Sequence, residues 1–327
     1  MTVRVPAKIN LQLAVGPLRP DGYHGLVTVF HAVSLFDELT VIPAEADRVD
    51  VTGEGAEAVP ANGDNLALRA VRALRAAIAE RDGTSGAPGA PEAPGAAEAA
   101  GNPGAGLGPG GVAVTIAKQI PVAGGMAGGS ADAAAALVAC NELWGTGLSK
   151  QELCTVGAGV GSDVAFAVLG ETAIGRGRGE QLTPVPSPAP STYHWVLALA
   201  DGHLSTPTVF RTLDRQRQDQ QVPDPELSAE LMAALSEGNP ARLGAALSNE
   251  LQEPALTLFP ALRKTLDAGR EAGALGALVS GSGPTCYFLA YDQGHATELA
   301  AALAAAGVCR AVATATGPAA GASVIAR

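Results

Sequence analysis

Aromatic side chains are scarce in this chain, Phe, Trp and Tyr together making up 4% of its 327 residues. Any core it buries must be aliphatic and alanine-rich. Cysteine is also sparse. Cys140, Cys154, Cys286 and Cys309 stand far apart, with no C-x-x-C pair and no metal-ligand spacing to the five histidines. That excludes a disulfide scaffold and a zinc-ribbon site, and fits incidental thiols in a reducing cytoplasm. Positive charge is in deficit: 21 Lys and Arg face 32 Asp and Glu, a net charge of −11. Nucleic acids and anionic membranes attract broad basic surfaces, so neither is an expected partner. No apolar run approaches the roughly 18 residues of a membrane span, and residues 1–8 carry no apolar signal-peptide core. The expectation is a soluble, cytoplasmic protein.

The chain is long enough for two ordinary domains. It is organised around Pro121-Val122-Ala123-Gly124-Gly125-Met126-Ala127-Gly128-Gly129-Ser130-Ala131-Asp132. Upstream, Val112, Val114 and Ile116 alternate with small or polar residues, the period of a half-buried strand. Downstream, residues 131–143 lack Gly and Pro and are rich in Ala and Leu, strong helix formers, with Ser130 as the expected N-cap. Four glycines at a helix mouth let several N–H groups point outward beside the positive end of a helix dipole, which suits phosphate. The spacing is neither a Walker loop, since no lysine follows, nor a clean dinucleotide fingerprint. Taken alone, the stretch fits an anion site or a plain flexible turn.

In the first segment Ile9, Leu11, Leu13 and Val15 alternate with Lys8, Asn10, Gln12 and Ala14, a strand with Lys8 and Asn10 on one face. That face is either solvated or the polar floor of a site. Arg19-Pro20-Asp21-Gly22-Tyr23-His24 is a turn ending in an aromatic and an imidazole. Residues 26–42 read as strand, broken near Asp37-Glu38, residues 49–52 as a short strand and 64–82 as a helix. Residues 83–111 hold Gly, Ala, Pro and a few Glu without a period, and are expected to be a disordered insertion. Ser149-Lys150-Gln151-Glu152 is a capping box, and Gly161-Ser162-Asp163 leads an apolar run in which Asp163 either caps a helix or serves a site. Gly175-Arg176-Gly177-Arg178-Gly179-Glu180 is a turn. Prolines between residues 184 and 190 mark the domain junction. Beyond it, helices over 226–237, 239–251, 260–272 and 293–306 alternate with strands over 275–280, 285–290 and 308–314. Ser280-Gly281-Ser282-Gly283-Pro284 forms a second glycine turn.

This order of loops resembles the GHMP kinase superfamily of small-molecule kinases. The central stretch is similar to their ATP motif P-x-x-x-G-[LM]-x-[GS]-[GS]-S, and Gly281-Ser282-Gly283-Pro284 to their third motif. Pro6-Ala7-Lys8-Ile9-Asn10-Leu11, the Asp21-Gly22-Tyr23-His24 turn and Gly161-Ser162-Asp163-Val164 bring it nearest the 4-diphosphocytidyl-2-C-methyl-D-erythritol kinase branch. The resemblance implies an α+β fold with an N-terminal ribosomal-protein-S5-domain-2-like domain over 1–183 and a C-terminal ferredoxin-like domain over 184–327. It implies ATP with Mg²⁺ as phosphoryl donor, a cytidyl alcohol as acceptor, and a monomer or weak homodimer. It implies Lys8 and Asp163 as catalytic pair and residues 121–131 as ATP loop. Asn10, Tyr23, His24, Thr206, Phe210, Gly281, Ser282 and Gly283 become acceptor contacts, with Tyr23 and Phe210 sandwiching a cytosine. No protein ligand to the metal stands out. The loop departs from the family where Met126-Ala127 replaces Leu-Gly and Ala131 replaces Ser. Asp132 would repel a nearby phosphate and is expected to point away. A homoserine or mevalonate kinase, or a non-catalytic nucleotide binder of the same fold, are the alternatives.

Overall fold

The computed structural model describes residues 1–84, 109–186, 192–218 and 220–327. Most of the expected insertion, residues 85–108, and residues 187–191 of the junction lie outside the described residues.

The chain opens with two long strands, β1 (Thr2–Leu18) and β2 (His24–Ala44), joined by the Pro-Asp-Gly turn and paired antiparallel along their length. Then come β3 (Arg48–Gly53), α1 (Leu66–Thr84), β4 (Gly111–Lys118) and α2 (Gly128–Trp144). α3 (Lys150–Val160), α4 (Val164–Leu169), β5 (Thr172–Gly177) and β6 (Gln181–Pro184) complete the first half. The second half runs β7 (Tyr193–Leu199), α5 (Thr206–Arg217), α6 (Ala229–Glu237), α7 (Pro240–Ala246), β8 (Ser248–Asn249), α8 (Gln252–Leu258) and α9 (Ala261–Glu271). It ends with β9 (Gly276–Val279), β10 (Cys286–Ala290), α10 (Gln293–Ala306), β11 (Ala311–Gly317) and β12 (Ser323–Ala326).

The strands form two sheets. The larger has the order β12-β1-β2-β4-β3, with β5 and β6 continuing beside β2 and β8 beside β1. Among the described residues, only β3–β4 and β1–β8 pair in parallel within it. The smaller is antiparallel, in the order β11-β7-β10-β9. The last strand thus returns to pair with the first. Alanines supply the fit: Ala133 to Ala136 and Ala139 of α2 are buried without exposure, letting the helix lie close to α1 and the large sheet.

Three expectations change. β2 is not broken at Asp37; it runs through, with register shifts opposite Pro6/Ala7 and Asn10/Gln12, and Asp37 is fully buried. Ser130 does not cap α2. The helix begins at Gly128 after Ala127 in the left-handed region (φ 60°), without a side-chain cap. The helix expected over 239–251 divides into α7 and β8, because Leu247 is extended and Ser248-Asn249 pair with β1. The Ser149–Glu152 capping box forms as expected.

Candidate active site

Period two along β1 puts Lys8 and Asn10 on one face, and that face is buried: Lys8 is 7% and Asn10 2% exposed. Lys8 Nζ donates to Asn10 Oδ1 at 2.8 Å, and Asn10 Nδ2 donates to Thr28 Oγ1 at 2.8 Å. The Asn10 carbonyl accepts from Tyr287 across the two sheets at 2.6 Å. The Lys8 ammonium also sits 5.5 Å from the Phe30 ring centroid and 3.7 Å from Asp163 Oδ2. Asp163 precedes α4 and makes no capping bond with its side chain, which leaves the carboxylate free for Lys8. Burial lowers the Lys8 pKa, outweighing the pull of Asp163 that raises it.

The central loop closes over this pair. Lys8 N donates to the Met126 carbonyl. Gly125, at φ 78°, packs so close to the second glycine turn that an added Cβ would lie 2.1 Å from the Ser280 carbonyl. Ser280 Oγ donates to the Gly125 carbonyl at 3.1 Å, and Thr285 N to the Gly124 carbonyl at 3.2 Å. Gly281, at φ 55°, brings its turn against Lys8 and Asn10: a Cβ there would lie 3.3 Å from both Lys8 Nζ and Asn10 Oδ1. Two distant glycine turns therefore interlock around one lysine.

A cavity of about 500 Å³ opens here. Lys8, Asn10 and Asp163 form its floor, and Ala123, Gly124, Gly125, Ala127, Gly128, Gly129 and Ser130 one wall. Met126 and Ala131 instead face the core, and Pro121 is buried. Val122 lies over Gly55. Thr206 and Ser282, joined hydroxyl to hydroxyl at 2.8 Å, line the opposite wall, while Gly283 sits behind, against Gly125. A second cavity of about 640 Å³ abuts the first and shares Ser162, Arg178, Thr206 and Phe210 with it. Tyr23, half exposed, and Phe210 both border it.

His24, expected as an acceptor contact, also borders the second cavity. It is buried, stacked on Phe210 at 5.3 Å, and its ring nitrogens face the Gly16 carbonyl at 2.9 Å and Asp214 Oδ1 at 3.2 Å. Both nitrogens are thus engaged by protein oxygens, and the ring packs against Phe210 at the cavity wall.

By sequence Arg178 is only part of a turn. Its guanidinium lies 5.1 Å above the Tyr23 ring and it borders both cavities. Arg69 and Arg211 border the second cavity as well, a local excess of positive charge in an acidic chain. The glycines on either side of Arg178, at φ 73° and 108°, were the available signal for a shaped turn. Asn249 was also missed: its amide holds the Val279 and Gly281 carbonyls, each at 2.8 Å. Asp132 does not line the cavity. It is buried on Lys118 at 2.8 Å, as expected for a residue pointing away, and burial pushes its pKa up to about 7.

The model of the GHMP kinases N terminal domain matches residues 94–171, and that of the GHMP kinases C terminal domain residues 231–309. A 4-diphosphocytidyl-2-C-methyl-D-erythritol kinase of Thermobifida fusca (strain YX) is 53% identical, over 99% of this chain and 98% of that protein. The enzyme of the same name from Streptomyces avermitilis is 50% identical over 99% of each. The chain belongs to the GHMP kinases. Within them, a crystal structure of 4-(cytidine 5'-diphospho)-2C-methyl-D-erythritol kinase superposes with a TM-score of 0.71 at 30% identity, covering 97% of this chain and 98% of that one. A crystal structure of L. major mevalonate kinase shares the fold at a TM-score of 0.68 and 17% identity, over 97% of this chain and 96% of that one.

Proposed function

We propose that the chain transfers the γ-phosphoryl group of ATP to the C2 hydroxyl of 4-diphosphocytidyl-2-C-methyl-D-erythritol, giving ADP and the 2-phosphate. The observation that carries this reading is a pair of abutting cavities: the first is floored by Lys8 and Asp163 and walled by glycine-loop backbone, the second is bordered by aromatics and arginines, and the two share Ser162, the neighbour of Asp163. Donor and acceptor each have a chamber, and the reacting atoms would meet at the shared wall.

Phosphoryl transfer asks a protein mainly for positioning and for stabilisation of spread negative charge. The backbone N–H groups of residues 123–129, at the mouth of α2, hold the donor phosphates. Asp163 accepts the C2-hydroxyl proton as the oxygen–phosphorus bond forms. Lys8 steadies that carboxylate and shares the charge of the moving phosphoryl group. Asn10, hydrogen-bonded on both sides of its amide, fixes the Lys8 ammonium between them. No group of three or more His, Cys, Asp or Glu side chains among the described residues is arranged to hold a metal. The oxygen donors around the first cavity, Asp163 with hydroxyls beside it, nevertheless suit Mg²⁺, a hard cation that keeps several waters and travels with the phosphates. When bound, it neutralises phosphate charge. In the second cavity Tyr23 and Phe210 offer apolar faces to a cytosine, and Arg69, Arg178 and Arg211 suit the charge of a diphosphate.

The mevalonate and homoserine alternatives fit less well, because a small alcohol leaves the second cavity and its arginines without a task. An ADP-release assay over three acceptors tests the assignment. Turnover with the cytidyl diphosphate alone supports it, and preferred turnover of mevalonate or homoserine overturns it.

A further inference from the structure

Behind the glycine loop lies a buried ionic cluster that the proposed chemistry does not use. Lys118 ends β4, and its Nζ donates to Asp37 Oδ2 of β2 at 2.5 Å and to Asp132 Oδ2 of α2 at 2.8 Å. The side chains of all three are between 0 and 3% exposed. Asp37 Oδ1 accepts the backbone N–H groups of Gln119 and Ile120, at 2.6 and 2.8 Å. The ammonium also lies directly under the start of α2: a Cβ on Gly128 would be 3.4 Å from Lys118 Nζ.

We infer that Lys118, Asp37 and Asp132 are positioning residues that clamp the base of the glycine loop and so hold it open to the width of the ATP phosphates. The two ends of the loop need tying, because four glycines give its backbone wide freedom. Asp37 fixes the entering end through two N–H groups, Asp132 fixes the leaving end through the first turns of α2, and one ammonium joins them. The same cluster answers the electrostatic difficulty of a carboxylate at the mouth of a phosphate-binding helix. Lys118 turns Asp132 into the interior and offsets its charge. Burying such a cluster is costly, and well-packed apolar side chains stabilise a fold as well or better. What apolar side chains cannot do is fix three backbone segments by directional bonds. The inference rests on the ATP reading of the loop.

Two substitutions with equal charge separate tethering from charge. Asp132→Asn keeps an oxygen for Lys118 Nζ, whereas Asp132→Ala removes it, and both leave Lys118 balanced by Asp37. ATP affinity is measured by titration calorimetry with a non-hydrolysable ATP analogue and Mg²⁺, alongside the KM of the cytidyl acceptor. Asp132→Ala should weaken analogue binding at least tenfold and change the acceptor KM less than threefold, with Asp132→Asn within threefold of wild type for both. Equal affinity in wild type and Asp132→Ala overturns the clamp, as does equal weakening by Asn and Ala, or parallel damage to both substrates. Should Asp132→Ala fail to fold, Asp132→Glu keeps the charge and shifts the anchor by one methylene. It should weaken the analogue at least fivefold, and wild-type affinity there overturns the clamp. A wild-type chain that binds no analogue overturns the ATP reading and the clamp with it, whereas one that binds it but shows no Asp132→Ala effect overturns the clamp alone.

Discussion

Lys8 shows how a strand's period becomes chemistry. Alternation put it beside Asn10 but left open whether that face met water, because periodicity says which residues share a face and not what covers it. The cover comes from the Ser280–Thr285 turn, far along the chain, and a sequence holds no local sign of such a contact. Arg178 was illegible for the same reason, since its value lies in standing over Tyr23 from another hairpin. The chemistry of Tyr23 gives a prediction at this scale. Its ring is half exposed and touches no core, so Tyr23→Ala should leave the melting temperature within about 1 °C and raise the cytidyl KM about tenfold or more, the loss of one stacked face amounting to roughly 1–3 kcal/mol. The KM for ATP should stay unchanged, and steady-state kinetics with each substrate varied in turn reads both. A parallel rise in the two KM values would mark Tyr23 as structural.

At the scale of elements, the glycine loop and α2 stood out in the sequence, and the start of the helix did not. Ser130 looked like the N-cap by type, yet Gly128 and Gly129 already carry helical hydrogen bonding, and the turn into the helix is made by Ala127 at φ 60°. An alanine in that region costs roughly 1–2 kcal/mol, and alanine is also a poor N-cap beside glycine. The departure from the family's glycine at this position is thus strained. Ala127→Gly should raise stability by about 1 kcal/mol, read as an upward shift in thermal midpoint, and a lowered midpoint would contradict the strain. β2 misled in the other direction. Asp37-Glu38 looked like a strand break because carboxylates are rare inside sheets. Asp37 is tolerated there because Lys118 and two backbone N–H groups satisfy it.

For the molecule as a whole, the alternation of strands with helices was legible, whereas the return of β12 to β1 was not, since four residues near a terminus carry no mark of their partner. The sheets meet around His31. Its ring contacts Tyr193 and Trp195 of β7, its Nδ1 lies 2.9 Å from Thr172 Oγ1, and burial lowers its pKa to about 3. Below pH 6.5 the unfolded chain takes up a proton on this histidine that the folded chain refuses. Stability therefore falls as pH drops from 6.5 toward 3, by about 2 kcal/mol at pH 5. Denaturant unfolding at pH 7 and pH 5 should show that loss shrinking by about the same amount in His31→Gln. An unchanged loss would place the acid sensitivity elsewhere. The thiols are inert by the same physics, Cys140 and Cys286 being pushed up to about 12 by burial.

Lys8 and Asp163 floor the first cavity beside Ser162, which borders both cavities. The most direct test is the steady-state rate of Asp163→Asn with ATP and 4-diphosphocytidyl-2-C-methyl-D-erythritol. Loss of the base should lower kcat about 10²–10⁴-fold while each KM stays within about threefold. A kcat within tenfold of wild type would contradict the role of Asp163 as base.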